Sequence, residues 1–216
     1  MKILIATLGC AGSLLLSAAW ATATPLTFQV NVNTAPLIPL VGSSGPFYLD
    51  FQLNDGSGTL AGVNTATIGG FSFGGGSAMG TATLLGGATG SLSSTVTLTD
   101  GATAFNEFFQ PFTPGGTLSF LVTLSPTTVD PGPTPDLFSF AILNGSLANL
   151  ATTGLGDALA LVNITSTALN LTNVQTFSTT SPAGVAATAA AVPEPASLLL
   201  LGSGLLAVAA WGRRRT

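Results

Sequence analysis

Acid–base chemistry in this chain rests on carboxylates. There is no histidine, the only cations are Lys2, Arg213, Arg214 and Arg215, and the single cysteine is Cys10. Asp50, Asp55, Asp100, Glu107, Asp130, Asp136 and Asp157 are spread through the middle, and Glu194 lies near the C-terminus. Two carboxyl groups flanking a glycosidic bond are the machinery of a glycoside hydrolase. Asp50 and Glu107, each beside aromatic residues, are the best-placed pair for it. Asp50, however, falls on the polar face of an alternating segment, where a solvated carboxylate with no special acidity is expected. Gly70-Phe71-Ser72-Phe73-Gly74 fits the G-x-S-x-G nucleophile elbow. That serine needs a base, and the chain has no histidine and the domain no lysine to supply one. A Gly-rich loop or strand edge is therefore expected there. Gly74-Gly75-Gly76 is not followed by the Lys-Ser/Thr of a phosphate loop and reads as turn glycine. Asp50, Asn54 and Asp55 offer oxygens to calcium but lack EF-hand spacing. No catalytic residue, cofactor or metal ligand set is expected, and no enzymatic activity.

Charge excludes further classes. Only 6 % of residues are charged, against about 25 % in an ordinary soluble protein. Between Lys2 and Arg213 there is no cation to neutralise phosphate, so nucleic acid is excluded as a partner and anionic lipid surfaces are poor ones. Cys10 lies in an apolar N-terminal run, so the mature chain is expected to have no thiol or disulfide. Its stability must come from an apolar core, and a hydrophobic content of 46 % suffices for one.

The two ends read as addresses. Met1-Lys2, the uncharged run Ile3–Leu16 and Ala21-Thr22-Ala23 form a secretory signal peptide over residues 1–23, cut by signal peptidase with Ala21 and Ala23 at the A-x-A site. Ala19-Trp20-Ala21 is a second cleavage candidate. A lipoprotein reading that acylates Cys10 of Leu8-Gly9-Cys10 is disfavoured by the short run before it and by Thr7. At the other end, Val192-Pro193-Glu194-Pro195-Ala196-Ser197 precedes an uncharged stretch to Trp211 and then the three arginines. The 16 residues from Ala196 to Trp211 reach about 24 Å as a helix, at the short limit for a single transmembrane helix. The prolines mark its outer start, and Arg213, Arg214 and Arg215 hold its inner end in the cytoplasm. A plain membrane anchor is the simpler alternative.

Pro193, Glu194 and Pro195, the glycine-containing apolar helix and the terminal arginine cluster together resemble a PEP-CTERM sorting signal. The resemblance implies that a membrane-embedded exosortase, a cysteine transpeptidase-like enzyme, recognises the motif and removes the tail. It also implies a Gram-negative host that makes exopolysaccharide, with transient attachment to the inner membrane. Residues 183–192, rich in alanine, are expected to be a flexible linker between domain and motif.

The middle, residues 24–182, is expected to be one all-β domain. Leu26, Phe28, Val30 and Val32 alternate with polar residues, as do Phe47–Leu53, Leu92–Leu98, Leu118–Leu124 and Phe138–Ile142, with later strands near Leu159–Ile164 and Val174–Phe177. Turn sequences such as Asn54-Asp55-Gly56, Asp100-Gly101 and Pro131-Gly132-Pro133 separate them. An antiparallel two-sheet β-sandwich, jelly-roll-like, follows. Phe105, Phe108, Phe109 and Phe112 fall at helical spacing, which predicts a short helix, limited by Pro111 and Pro114, plugging one end of the sandwich. Tyr48–Asn54, Ala104–Gln110 and Thr117–Phe120 resemble a family of uncharacterised PEP-CTERM proteins, which implies no particular activity. The expected function is that of a non-catalytic secreted or surface protein in an exopolysaccharide matrix. The alternatives are a carbohydrate-binding module and the glycosidase above.

Overall fold

A computed structural model of the chain describes residues 25–60, 63–127, 129 and 133–192. The expected signal peptide with Ala21 and Ala23 lies outside the described residues. So does the expected tail with Pro193, Glu194, Pro195, Arg213, Arg214 and Arg215. Among the described residues no helix is long and apolar enough to cross a membrane.

In chain order the strands are β1 (Leu26–Asn33), β2 (Phe47–Asn54), β3 (Thr65–Ser72), β4 (Ser77–Ala78), β5 (Thr83–Leu85), β6 (Thr89–Gly90), β7 (Val96–Thr99), β8 (Phe105–Thr113), β9 (Thr117–Ser125), β10 (Asp136–Leu143), β11 (Ala151–Thr152), β12 (Ala160–Ile164), β13 (Val174–Thr176), β14 (Ser178–Ser181) and β15 (Ala183–Ala191). They pair antiparallel in two sheets. Sheet A runs β11-β14-β15-β1-β9-β3-β7-β6, and sheet B runs β13-β12-β10-β2-β8-β4, with β5 also on β8. The chain passes from β1 in sheet A to β2 in sheet B, back to β3, and again from β8 to β9 to β10. This repeated crossing is the winding found in jelly rolls.

The alternating segments account for the core. On β1 the side chains of Leu26, Phe28, Val30 and Val32 are buried, while Thr27, Gln29, Asn31 and Asn33 face outward. Leu118, Phe120, Val122 and Leu124 of β9 repeat the pattern in register, with Val30 opposite Phe120. The centre is aromatic. Phe51 of β2 lies 5.3 Å from Phe120 across the two sheets and 5.2 Å from Phe140 beside it, and Phe120 lies 4.9 Å from Phe140. Each such ring removes apolar surface from water worth about 1.5–3 kcal/mol, and favourable edge-to-face pairs add about 0.5–1.5 kcal/mol.

Two expectations are corrected. The segment containing Phe105, Phe108, Phe109 and Phe112 is not a helix but strand β8. Phe108 and Phe112 enter the core at period two, Phe105 is exposed and Phe109 half-buried. Pro111 is tolerated because its carbonyl accepts from Met79 N on the β4–β5 side, where the ladder is interrupted between those two short strands. Residues 183–191 are not a free linker either. They form β15, pairing with β1 from Phe28↔Ala191 to Asn33↔Ala186, and Val185 and Ala187 are buried in the core.

The Phe51–Phe120–Phe140 contact sets the first expected outcome. Phe120→Ala should destabilise the domain by about 3–5 kcal/mol, measured by urea denaturation, while Thr27→Ala on the outer face of β1 should cost about 1 kcal/mol or less.

Candidate functional site

Five of the described carboxylates fall into two groups, neither with a cation, and Asp157 stands apart, accepting from Thr152 N. At one end of the sandwich, Asp55, Asp100 and Asp136 converge around Asn64. Asn64 donates from its backbone N to Asp100 Oδ1 at 2.6 Å and from Nδ2 to Asp100 Oδ2 at 3.0 Å and Asp136 Oδ2 at 2.6 Å. Gly56 N donates to Asp136 Oδ1, and Gly58 N and Leu60 N donate to Asp55. These bonds close the β2–β3 turn over the ends of β7 and β10. Burial raises the Asp100 carboxyl, the Asn64 bonds oppose this, and the nearby Asp55 charge adds to the rise. Among the described residues no group of three or more His, Cys, Asp or Glu side chains is placed to hold a metal ion. Asp50, Asn54 and Asp55, weighed as calcium donors, are directed elsewhere: Asp55 to the turn, Asp50 and Asn54 to the side chain of Gln52.

The second group lies on the outer face of sheet B. Gln52 stands opposite Glu107 across the β2–β8 pair, and its Nε2 donates at 3.0 Å both to Glu107 Oε1 and to Asp50 Oδ2. Asn54 Nδ2 donates in turn to Gln52 Oε1 at 3.3 Å. The structure thus brings together the two carboxylates singled out in the sequence. It corrects the solvated state expected for Asp50, which is only 2 % exposed. Asp50 lies between Phe109 of β8 and Ala141 of β10, with the Tyr48 and Phe109 rings in edge contact at 6.0 Å nearby. Its Oδ1 is buried with no hydrogen-bond partner among the described residues.

Burial first, and the Glu107 charge second, push the Asp50 carboxyl up to about 7. Glu107 is also raised by burial, but bonds from Gln52 and from the Asp50 carboxyl hold it lower. Of the two, Asp50 is therefore the carboxyl that takes up a proton more readily. A glycosidase needs two carboxyl groups on opposite sides of a bond that both can reach. Here both bond to one amide nitrogen, and Asp50 is closed to solvent. Ser72 of the G-x-S-x-G segment is an exposed residue at the end of β3, past a register shift, in an antiparallel sheet. That is strand-edge geometry, and the domain has no histidine or lysine to activate it.

The raised Asp50 has a consequence for stability. In the unfolded chain it ionises near the ordinary aspartate value of 3.8, and in the folded domain near 7. The folded state thus holds the proton more tightly. Stability is highest below pH 3.8 as far as this group is concerned, falls as pH rises towards 7, and levels off above it. Asp50→Asn should remove most of that slope. The variant is expected to gain on wild type by a few kcal/mol between pH 4 and pH 8, read as the difference in denaturation midpoints.

Residues 191–215 match the family model of the PEP-CTERM protein-sorting motif. The comparisons with curated proteins and with solved structures returned no match. The matched segment begins at Ala191, the last residue of β15, so the sorting motif follows the sandwich directly. The chain therefore carries a PEP-CTERM protein-sorting motif, which implies export, transient attachment to the membrane and processing by exosortase on the way to the cell surface.

Proposed function

We propose that the protein is a non-catalytic component of an exopolysaccharide-associated extracellular matrix of a Gram-negative bacterium, with the β-sandwich as the cargo that exosortase sorting delivers. The observation that carries this reading is the sorting match at 191–215 joined without a gap to a folded, cation-free domain. A non-catalytic role is supported by the lack of histidine and lysine in the domain and by the closed state of Asp50. A matrix role is supported by outer strand faces rich in neutral hydroxyls and amides, such as Thr27, Gln29 and Asn31 on β1 and Thr123 on β9. Such faces stay hydrated among polysaccharide chains without ion pairs.

A second reading, a carbohydrate-binding module, has one specific support. Tyr48 and Phe109 flank the Gln52–Asn54–Glu107 stripe on sheet B, which pairs aromatic surface with amide and carboxylate acceptors. Retention of the domain on an exopolysaccharide column, lost in Tyr48→Ala, would favour it over a purely structural role.

The sorting claim has its own test. Replacing Pro193, Glu194 and Pro195 together by alanine leaves the apolar stretch and the arginines intact. In a strain that has exosortase, this variant should remain uncut in the inner membrane at a higher apparent mass. Processing equal to wild type would reduce the tail to an ordinary anchor.

A further inference from the structure

Processing enzymes hold the chain around their motif in an extended form, and a segment already paired in a sheet has to open first. In this protein only Val192 stands between Ala191, the end of β15, and Pro193. Covalent geometry keeps Pro193 within about 7 Å of the sheet edge while β15 stays paired. An enzyme reading the motif would then collide with the sandwich.

The two halves of β15 are held very differently. Val185 and Ala187 are buried, Ser178 of β14 pairs with Ala186, Thr180 with Ala183, and Ala187 N donates to Phe177 O at 3.0 Å. From Thr188 onward the ladder has a partner on one side only, β1, through Asn31↔Thr188 to Phe28↔Ala191. The side chains there bury little: Thr188, Ala190 and Ala191 are exposed, and Ala189 is half-buried. Strand β1 remains paired with β9 on its other side when this end opens. Opening Thr188–Ala191 would add about 13 Å of reach.

Building on the sorting reading, we propose that Thr188–Ala191 is a peelable end strand: it detaches from β1, hinged after Ala187, to present the Pro-Glu-Pro motif to the processing enzyme. The linker that sorting requires is thus kept in the sheet until it is used, and the anchored half of β15 preserves the fold meanwhile.

The test is to lock the strand. Gln29 and Ala190 stand directly opposite each other on the outer face. No other thiol lies between Cys10 and the C-terminus. The Q29C/A190C pair, oxidised after export, should be processed at least about tenfold more slowly than wild type in pulse–chase, and the single-cysteine variants should match wild type. Inserting a flexible Gly/Ser linker of about ten residues after Ala191 should restore processing of the locked protein. Wild-type processing of a chain shown to carry the disulfide would overturn the proposal, as would failure of the linker to rescue it. Neither result bears on the sorting reading, which stands or falls on the triple-alanine variant.

Discussion

Between Lys2 and Arg213 no positive side chain exists, so every carboxylate that the fold covers must be accommodated without an ion pair. A buried, isolated carboxylate is costly enough that it either gathers hydrogen-bond donors or takes up a proton. The sandwich uses both solutions. Asp55, Asp100 and Asp136 gather backbone N–H groups and the amide of Asn64, and Asp157 takes the N–H of Thr152 at 2.9 Å. Asp50, with only Gln52 to donate to it, takes the proton instead. The same shortage explains why acidic side chains double as turn locks: with no cations available, the positive partial charges at hand are those of backbone N–H groups and side-chain amides.

That constraint also shapes what the domain can do. A carboxyl that is protonated near neutrality beside a second carboxylate has the electrostatics of an acid–base pair, and such perturbation is a common mark of active sites. The cause here is cover rather than a cleft. Phe109, Ala141 and the Tyr48 ring close the outer face of sheet B over Asp50. Strained acidity without access favours a structural explanation, and the pH dependence of stability is where it is expressed.

Much of the sheet framework was legible because apolar and polar residues alternate along β1 and most of β2, and large apolar residues recur at period two in β9 and β10. Where the signal failed, the reasons are physical. Phe105, Phe108, Phe109 and Phe112 satisfy helical spacing, yet two of them, Phe108 and Phe112, also share one face of a strand. Pro111 looked like a breaker until its neighbours on β4 and β5 were seen to leave a gap in the ladder. Strand β3 carries Ala66 and Ile68 among threonines and glycines, too faint an alternation to stand out. In β15 the inward residues are Val185, Ala187 and Ala189, and small side chains alternating with other small side chains look like spacer. The Asp50–Glu107 pair was visible as two residues near aromatics. Its closure was not, because burial of an outward-facing side chain depends on its cross-strand neighbours, which a single strand does not reveal.

The pairing of β1 with β15 brings the start of β1 and the start of the matched sorting segment to one end of the sandwich. Leu26, three residues past the expected cleavage after Ala23, lies opposite Leu124, and Ala191 lies opposite Phe28. The turn that follows β2 and the starts of β3 and β10 lie at the same end, since Thr65 pairs with Ser125 and Leu137 with Asn54. This is where Asp55, Asp100 and Asp136 are gathered around Asn64. Binding those carboxylates to N–H groups ties together the loops beside the end of the β1–β15 pair. The carboxylates that must be satisfied without cations and the start of the sorting match therefore share a single end of the sandwich, where backbone N–H groups of the turns do the work that ion pairs do elsewhere.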